Sequence, residues 1–88
     1  MQFNTSGFFH QSEITLNGRT YRSSYNHNYY YNQLQNRLVL EEYVMDEWVQ
    51  YWEVDLITGE QESLGSTVDN ESMFNTDEFG VYTLGEFT

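Results

Sequence analysis

Carboxylates are the residues best placed to do chemistry in this sequence. Glu53 and Asp55 stand two apart, as do Glu60 and Glu62, and Thr58-Gly59 lies between the two pairs. In an extended chain alternate side chains share a face, so each pair sets its carboxylates about 6.7 Å apart. Glu41, Glu42, Asp46 and Glu47 make a second group. Such groups can exchange protons, hold a divalent cation, or present fixed negative charge to a partner. Acid–base work on a sugar needs two carboxyls in unlike environments within a cleft, and 88 residues leave little room for one. Cation binding needs ordered ligand spacing. Counting from Asp69, the fifth and sixth positions are Met73 and Phe74, where a calcium loop requires a ligand and a glycine.

The other reactive types are sparse. His10 and His27 are the two histidines. Ser23 or Ser24 could be joined with His27 and an acid into a nucleophile set. Seven serines and fourteen acids produce such sets by chance, and no nucleophile elbow, phosphate loop or His-Glu-x-x-His pattern occurs. No enzyme, metal or cofactor is expected. The absence of Cys excludes disulfides, thiol nucleophiles and zinc–thiolate sites. Three Arg and no Lys cannot coat phosphates, so direct nucleic-acid binding is not expected. No apolar run approaches the ~18 residues of a membrane span, and Met-Gln-Phe-Asn lacks the start of a signal peptide. A cytoplasmic protein is the expectation.

Charge divides the chain. Residues 1–40 carry Arg19, Arg22 and Arg37 against Glu13, whereas residues 41–88 carry thirteen acids and no Lys or Arg. The net charge of −11 therefore belongs to one half. Residues 1–88 read as one small domain. Two Trp, eight Tyr and six Phe supply the buried area that a merely acidic, disordered chain would lack.

The elements that must carry these residues are mostly strands. Ala is absent, and Val, Thr, Tyr, Phe and Trp are plentiful. Asn17-Gly18 between β-prone runs predicts a type I′ hairpin over 12–23, with Glu13 opposite Arg22, Ile14 opposite Tyr21 and Thr15 opposite Thr20. Residues 37–65 predict a meander. In it Leu38, Leu40 and Val44 meet Val54, Trp52 and Trp48, and Arg37 meets Asp55. A two-residue turn at Thr58-Gly59 then sets Asp55 opposite Glu62. Met45-Asp46-Glu47 is an awkward loop for this reading, because it lacks the glycine usual at a left-handed position. A helix over about 29–52 is the rival reading, since Tyr31, Leu34, Leu38, Met45, Trp48 and Trp52 recur at near-helical spacing. The predicted class is α+β and β-rich, an antiparallel sheet of hairpins with a short helix near 28–36. Val81–Leu84 forms a last strand. Trp48, Trp52, Leu38, Leu40, Val54 and Leu56 form the core.

Two features could serve a partner. Tyr29, Tyr30 and Tyr31 cannot all point inward on a strand or helix, so at least one should reach the surface. The acids of the second half, with no Lys interleaved, repel one another and oppose folding. Glu53, Asp55, Glu60 and Glu62 would form the centre of a carboxylate array, and Glu41, Glu42, Asp46 and Glu47 a second cluster. A short, strongly acidic, cysteine-free chain with scattered aromatics resembles the small phage-encoded proteins that inhibit host nucleases, the anti-CRISPR and anti-restriction proteins, several of which mimic DNA. That resemblance implies a non-catalytic inhibitor occupying a Lys/Arg-lined nucleic-acid channel of a nuclease complex. The alternative is an interaction module or subunit that binds through its aromatics, with the charge serving solubility.

Overall fold

The computed structural model describes residues 6–85, and every structural statement here concerns those residues. They form nine strands: β1 Ser6–Gln11, β2 Glu13–Leu16, β3 Arg19–Arg22, β4 His27–Asn32, β5 Arg37–Val44, β6 Trp48–Val54, β7 Gln61–Ser66, β8 Phe74–Thr76 and β9 Tyr82–Leu84. Seven strands make one antiparallel sheet in the order β7-β6-β5-β4-β1-β9-β8, and β2 with β3 makes a separate hairpin. No helix is present among the described residues, so none is long and apolar enough to cross a membrane.

The expected helix near 28–36 is therefore corrected to strand β4 and a tight turn, and the long helix over 29–52 is likewise replaced by strands. Three successive tyrosines lose side-chain freedom in a helix and suit a pleated strand. Here β4 is paired on both edges, to β1 and to β5. Alternation then sends Tyr30 to one face of the sheet and Tyr29 and Tyr31 to the other.

The first hairpin has the predicted register, with Glu13 opposite Arg22 and Thr15 opposite Thr20. Asn17 and Gly18 both take positive φ, 51° and 80°, as a type I′ turn requires. The β5–β6 pairing also matches, with Leu38, Leu40 and Val44 facing Val54, Trp52 and Trp48. Its loop reaches the left-handed region without glycine, at Met45 (φ 52°) and Asp46 (φ 56°).

The β6–β7 turn differs from expectation. Glu62 stands opposite Glu53, not Asp55. The connection is a longer loop, closed by a 2.8 Å bond from the Asp55 N–H to the Glu60 carbonyl. The reason lies in Asp55 itself. Its carboxylate accepts the N–H groups of Ile57 (2.8 Å) and Thr58 (3.0 Å), a side-chain mimic of a backbone turn. A slip of two residues keeps every side chain on its original face, so the hydrophobic pattern could not distinguish the two registers. Arg37 is corrected in the same way. It meets Glu53 diagonally, because β6 ends at Val54.

Both faces of the sheet are covered. On one, Leu38, Leu40 and Val54 are buried beneath Ile14, Leu16 and Tyr21 of the β2–β3 hairpin, with Trp52 and Leu56 partly buried beside them. On the other, Phe8, Tyr30, Val39, Val49 and Tyr51 pack with Phe74 and Leu84. Phe74 belongs to β8, at the far edge of the sheet from β6. Yet its ring stacks on Tyr30 at 3.8 Å and lies 5.8 Å from that of Tyr51. The sheet must coil strongly for its ends to come so close. The expected core is thus half of the real one. Trp48, Trp52 and Leu56 are only partly buried, and the odd-numbered side chains of β5 and β6 build a second core.

The hairpin tip is fastened to the β6–β7 loop. Asn17 donates to the Leu56 carbonyl at 2.8 Å, and the Arg19 side chain crosses Gly59, where a Cβ would lie 1.9 Å from a guanidinium nitrogen. Gly18, by contrast, faces open space. Gly18→Ala should cost about 1 kcal/mol from its positive φ alone. Gly59→Ala (φ 79°) should cost about the same, because the Arg19 guanidinium is the far end of a flexible, exposed side chain and can swing aside. Urea unfolding midpoints of the two variants test this. Midpoints equal to the parent's would contradict the left-handed conformation at both positions.

Candidate functional site

The carboxylates of the β6–β7 end converge. Glu53, Asp55, Glu60 and Glu62, together with Gln61, line one shallow groove. Glu53 and Glu62 stand directly opposite in the ladder, and Asp55 and Glu60 continue it by one bonded pair. The four are not equivalent. Arg37, largely buried, holds Glu53 through Nε at 2.9 Å and Nη2 at 2.6 Å. Asp55 is occupied by its own turn, and its carboxyl is held below the usual range by the Thr58 and Ile57 N–H groups, with Arg19 adding to the effect. Glu60 and Glu62 are exposed, and neither carboxylate has a hydrogen-bond or ion-pair partner among the described residues.

The second acidic group is divided by the fold. Asp46 and Glu47 are exposed on the β5–β6 turn. Glu42 is half-buried, accepting from Trp52 Nε1 at 3.1 Å and lying 3.5 Å from His27 Nε2. Glu41 is only 1% exposed, so its placement on a docking surface is corrected. Its carboxylate accepts from the Tyr51 hydroxyl (2.7 Å), the Ser72 hydroxyl (2.5 Å), the Asn28 amide (3.1 Å) and the Tyr30 hydroxyl (3.5 Å). The cause is again alternation. Adjacent acids on a strand face opposite ways, and with both faces of β5 covered one of the two must be buried. The groove and the β5–β6 turn lie at opposite ends of β6, about 20 Å apart for a strand of that length.

The tyrosine run is mostly structural. Tyr30 is 6% exposed and belongs to one core, while Tyr29 and Tyr31 are half-buried against the other. The Tyr31 hydroxyl donates to Asn36 at 2.6 Å. Among the exposed aromatics that sequence reasoning missed, Tyr25 is the most exposed, at 98%, ahead of Phe79 and Phe9. It shares a depression with Asn26, Tyr43, Met45 and Asp46. Only the polar Ser-Ser-Tyr-Asn context marked it as a loop residue.

His27 sits between Ser24 and Glu42, which resembles a nucleophile relay. Its Nδ1 lies 2.7 Å from Asn26 Oδ1, an acceptor, and 3.5 Å from Ser24 Oγ. Ser24 Oγ lies nearer to Asn26 Oδ1, to which it donates at 3.3 Å, than to the ring nitrogen. Ser23 is fully engaged, donating to the Gln11 carbonyl at 2.6 Å and accepting from the Tyr29 N–H at 3.0 Å. Among the described residues no three His, Asp or Glu side chains gather as a metal cage would need.

Two predictions follow from the buried carboxylate. Glu41→Gln replaces an acceptor-only group with an amide whose N–H₂ faces donors, and should cost about 1–3 kcal/mol. Glu60→Gln, on the surface, should lie within about 0.5 kcal/mol of the parent. Chemical denaturation of both variants checks the contrast, and equal stabilities would contradict the Glu41 network. The phenols of Tyr30 and Tyr51 are pushed up by burial and by the Glu41 carboxylate, and burial raises those of Tyr29 and Tyr43 too. A raised folded-state value stabilises fully below the unfolded value of about 10 and is lost as pH climbs beyond it. Tyrosinate absorbance from these four should therefore appear together with loss of β circular dichroism. Complete ionisation with the fold intact would contradict their burial.

No protein-family model, curated protein or solved structure matches this chain.

Proposed function

We propose that this protein is a non-catalytic inhibitor. It lays an acidic face on the basic nucleic-acid-binding surface of a host nuclease complex, in the anti-CRISPR or anti-restriction manner, and it acts in the cytoplasm. The observation that carries this reading is the groove at the β6–β7 end. Glu53 and Glu62 are placed opposite each other, which is locally unfavourable. Arg37 offsets Glu53 and Arg19 lies near Asp55, while the carboxylates of Glu60 and Glu62 have no ion-pair partner among the described residues. A groove that exists only to keep the chain soluble would not need like charges in register on a rigid ladder. Carboxylates fixed at strand spacing suit a Lys/Arg-lined channel, and the association should show the salt dependence of nucleic-acid binding.

The aromatic alternative loses the residues first assigned to it, since Tyr29, Tyr30 and Tyr31 serve the two cores. Its remaining support is the exposed aromatics Tyr25, Phe79 and Phe9.

Captured partner from host lysate, titrated with salt, provides the test. Asp55 is a poor site for charge reversal because it holds its own turn. Glu60→Lys with Glu62→Lys is the better variant, since a lysine at the second position faces Glu53 and preserves the fold. Affinity should fall about tenfold or more, with a shallower dependence on salt. An unchanged affinity and slope in the folded double variant would refute the acidic-face reading.

A further inference from the structure

At the end of the sheet opposite the acidic groove, the β3–β4 loop and the β5–β6 turn meet. The Tyr43 N–H joins them by donating to the Asn26 carbonyl at 2.8 Å. Between them lies the depression lined by Tyr25, Asn26, Tyr43, Met45 and Asp46. Tyr25 is 98% exposed and Met45 79%, although both are large and carry apolar surface. Tyr25 makes no hydrogen bond or ring contact with the described residues, so packing gives no reason for it. Tyr43 is fixed instead. Its ring is half-buried against the Tyr51–Phe74 core. One aromatic wall is therefore rigid and the other is free to close. Asp46 brings an exposed carboxylate to the rim, with Glu47 next to it.

Aromatic faces are electron-rich, and they attract a cation most strongly when it is planar and weakly hydrated. A guanidinium can stack on a tyrosine ring while its N–H groups meet a carboxylate, whereas an ammonium gains less from the ring. Two tyrosines, a thioether and a carboxylate around one depression match that combination. We propose that this depression seats an arginine side chain of the basic partner. The inference rests on the reading given under Proposed function and adds a specific contact to it. The groove would supply long-range attraction, and the Tyr25 depression would choose arginine over lysine.

Calorimetric titrations with nona-arginine and nona-lysine at one fixed, low ionic strength test this on the full chain. The proteins compared are the parent, Tyr25→Ser, Asp46→Asn, and the Glu60→Lys/Glu62→Lys variant. Tyr25 touches nothing, and asparagine tolerates the left-handed conformation of Asp46, so both single variants should fold. The parent should bind nona-arginine more tightly than nona-lysine. Tyr25→Ser should lose about three- to fivefold for nona-arginine and leave nona-lysine unchanged. Asp46→Asn should weaken both. A parent without an arginine preference, or a preference that survives in Tyr25→Ser, overturns the assignment. If nona-arginine binds, and charge reversal at Glu60 and Glu62 weakens it while Tyr25→Ser does not, this inference alone fails. If the parent binds neither peptide, the acidic-face reading itself fails.

Discussion

Glu41 lies in the middle of β5, an inner strand of the sheet, with its carboxylate out of water and no cation among its partners. Burying a lone carboxylate is costly unless its oxygens are fully hydrogen-bonded. Here the donors are neutral and come from three other segments: Asn28 and Tyr30 on β4, Tyr51 on β6, and Ser72 just before β8. Ser72 in turn accepts from the Phe74 N–H, and the Tyr51 hydroxyl accepts from the Met73 N–H at 2.7 Å. The segment leading into β8 is thereby fixed above β6, and Phe74 is delivered to its stack on Tyr30. The coil of the sheet and the second core both depend on satisfying this one acid.

The remaining acids divide according to what the fold asks of them. Asp55 terminates a turn, Glu53 holds Arg37, and Glu42 receives the Trp52 N–H. Glu60, Glu62, Asp46 and Glu47 have no such task. Exposed ion pairs contribute roughly 0–1 kcal/mol, so the pairing of Arg22 with Glu13 does little to set stability, whereas the largely buried Arg37–Glu53 pair fixes geometry. Glu71 and Glu78 are likewise exposed on the segments flanking β8, whereas Asp46, Glu47, Glu60 and Glu62 lie toward the two ends of β6. Beside one end is the acidic groove, and beside the other an aromatic depression. An acidic molecule with two chemically different ends can attract a basic surface with one and discriminate within it with the other.

Local chemistry was legible wherever it was closed within a few residues. Asn17-Gly18 fixed its hairpin and register, because both turn residues need positive φ and few residues tolerate it. The β5–β6 register followed from matching apolar faces. The β6–β7 register did not, because a two-residue slip leaves those faces unchanged and the decision fell to the side chain of Asp55. The helix near 28–36 failed because β4 is a central strand with neighbours on both edges, a condition that windowed propensity cannot register.

The sequence alone settled a β-rich chain with its negative charge in one half and the β2–β3 and β5–β6 pairings, since turn chemistry and alternation are properties of neighbouring residues. Tertiary structure decided which acids are available. Glu41 and Glu42 are adjacent and chemically alike, yet one is buried because the C-terminal strands return over its face of β5. That return depends on contacts between residues far apart in the chain, thirty-one apart for Glu41 and Ser72 and forty-four for Tyr30 and Phe74, which no local pattern encodes.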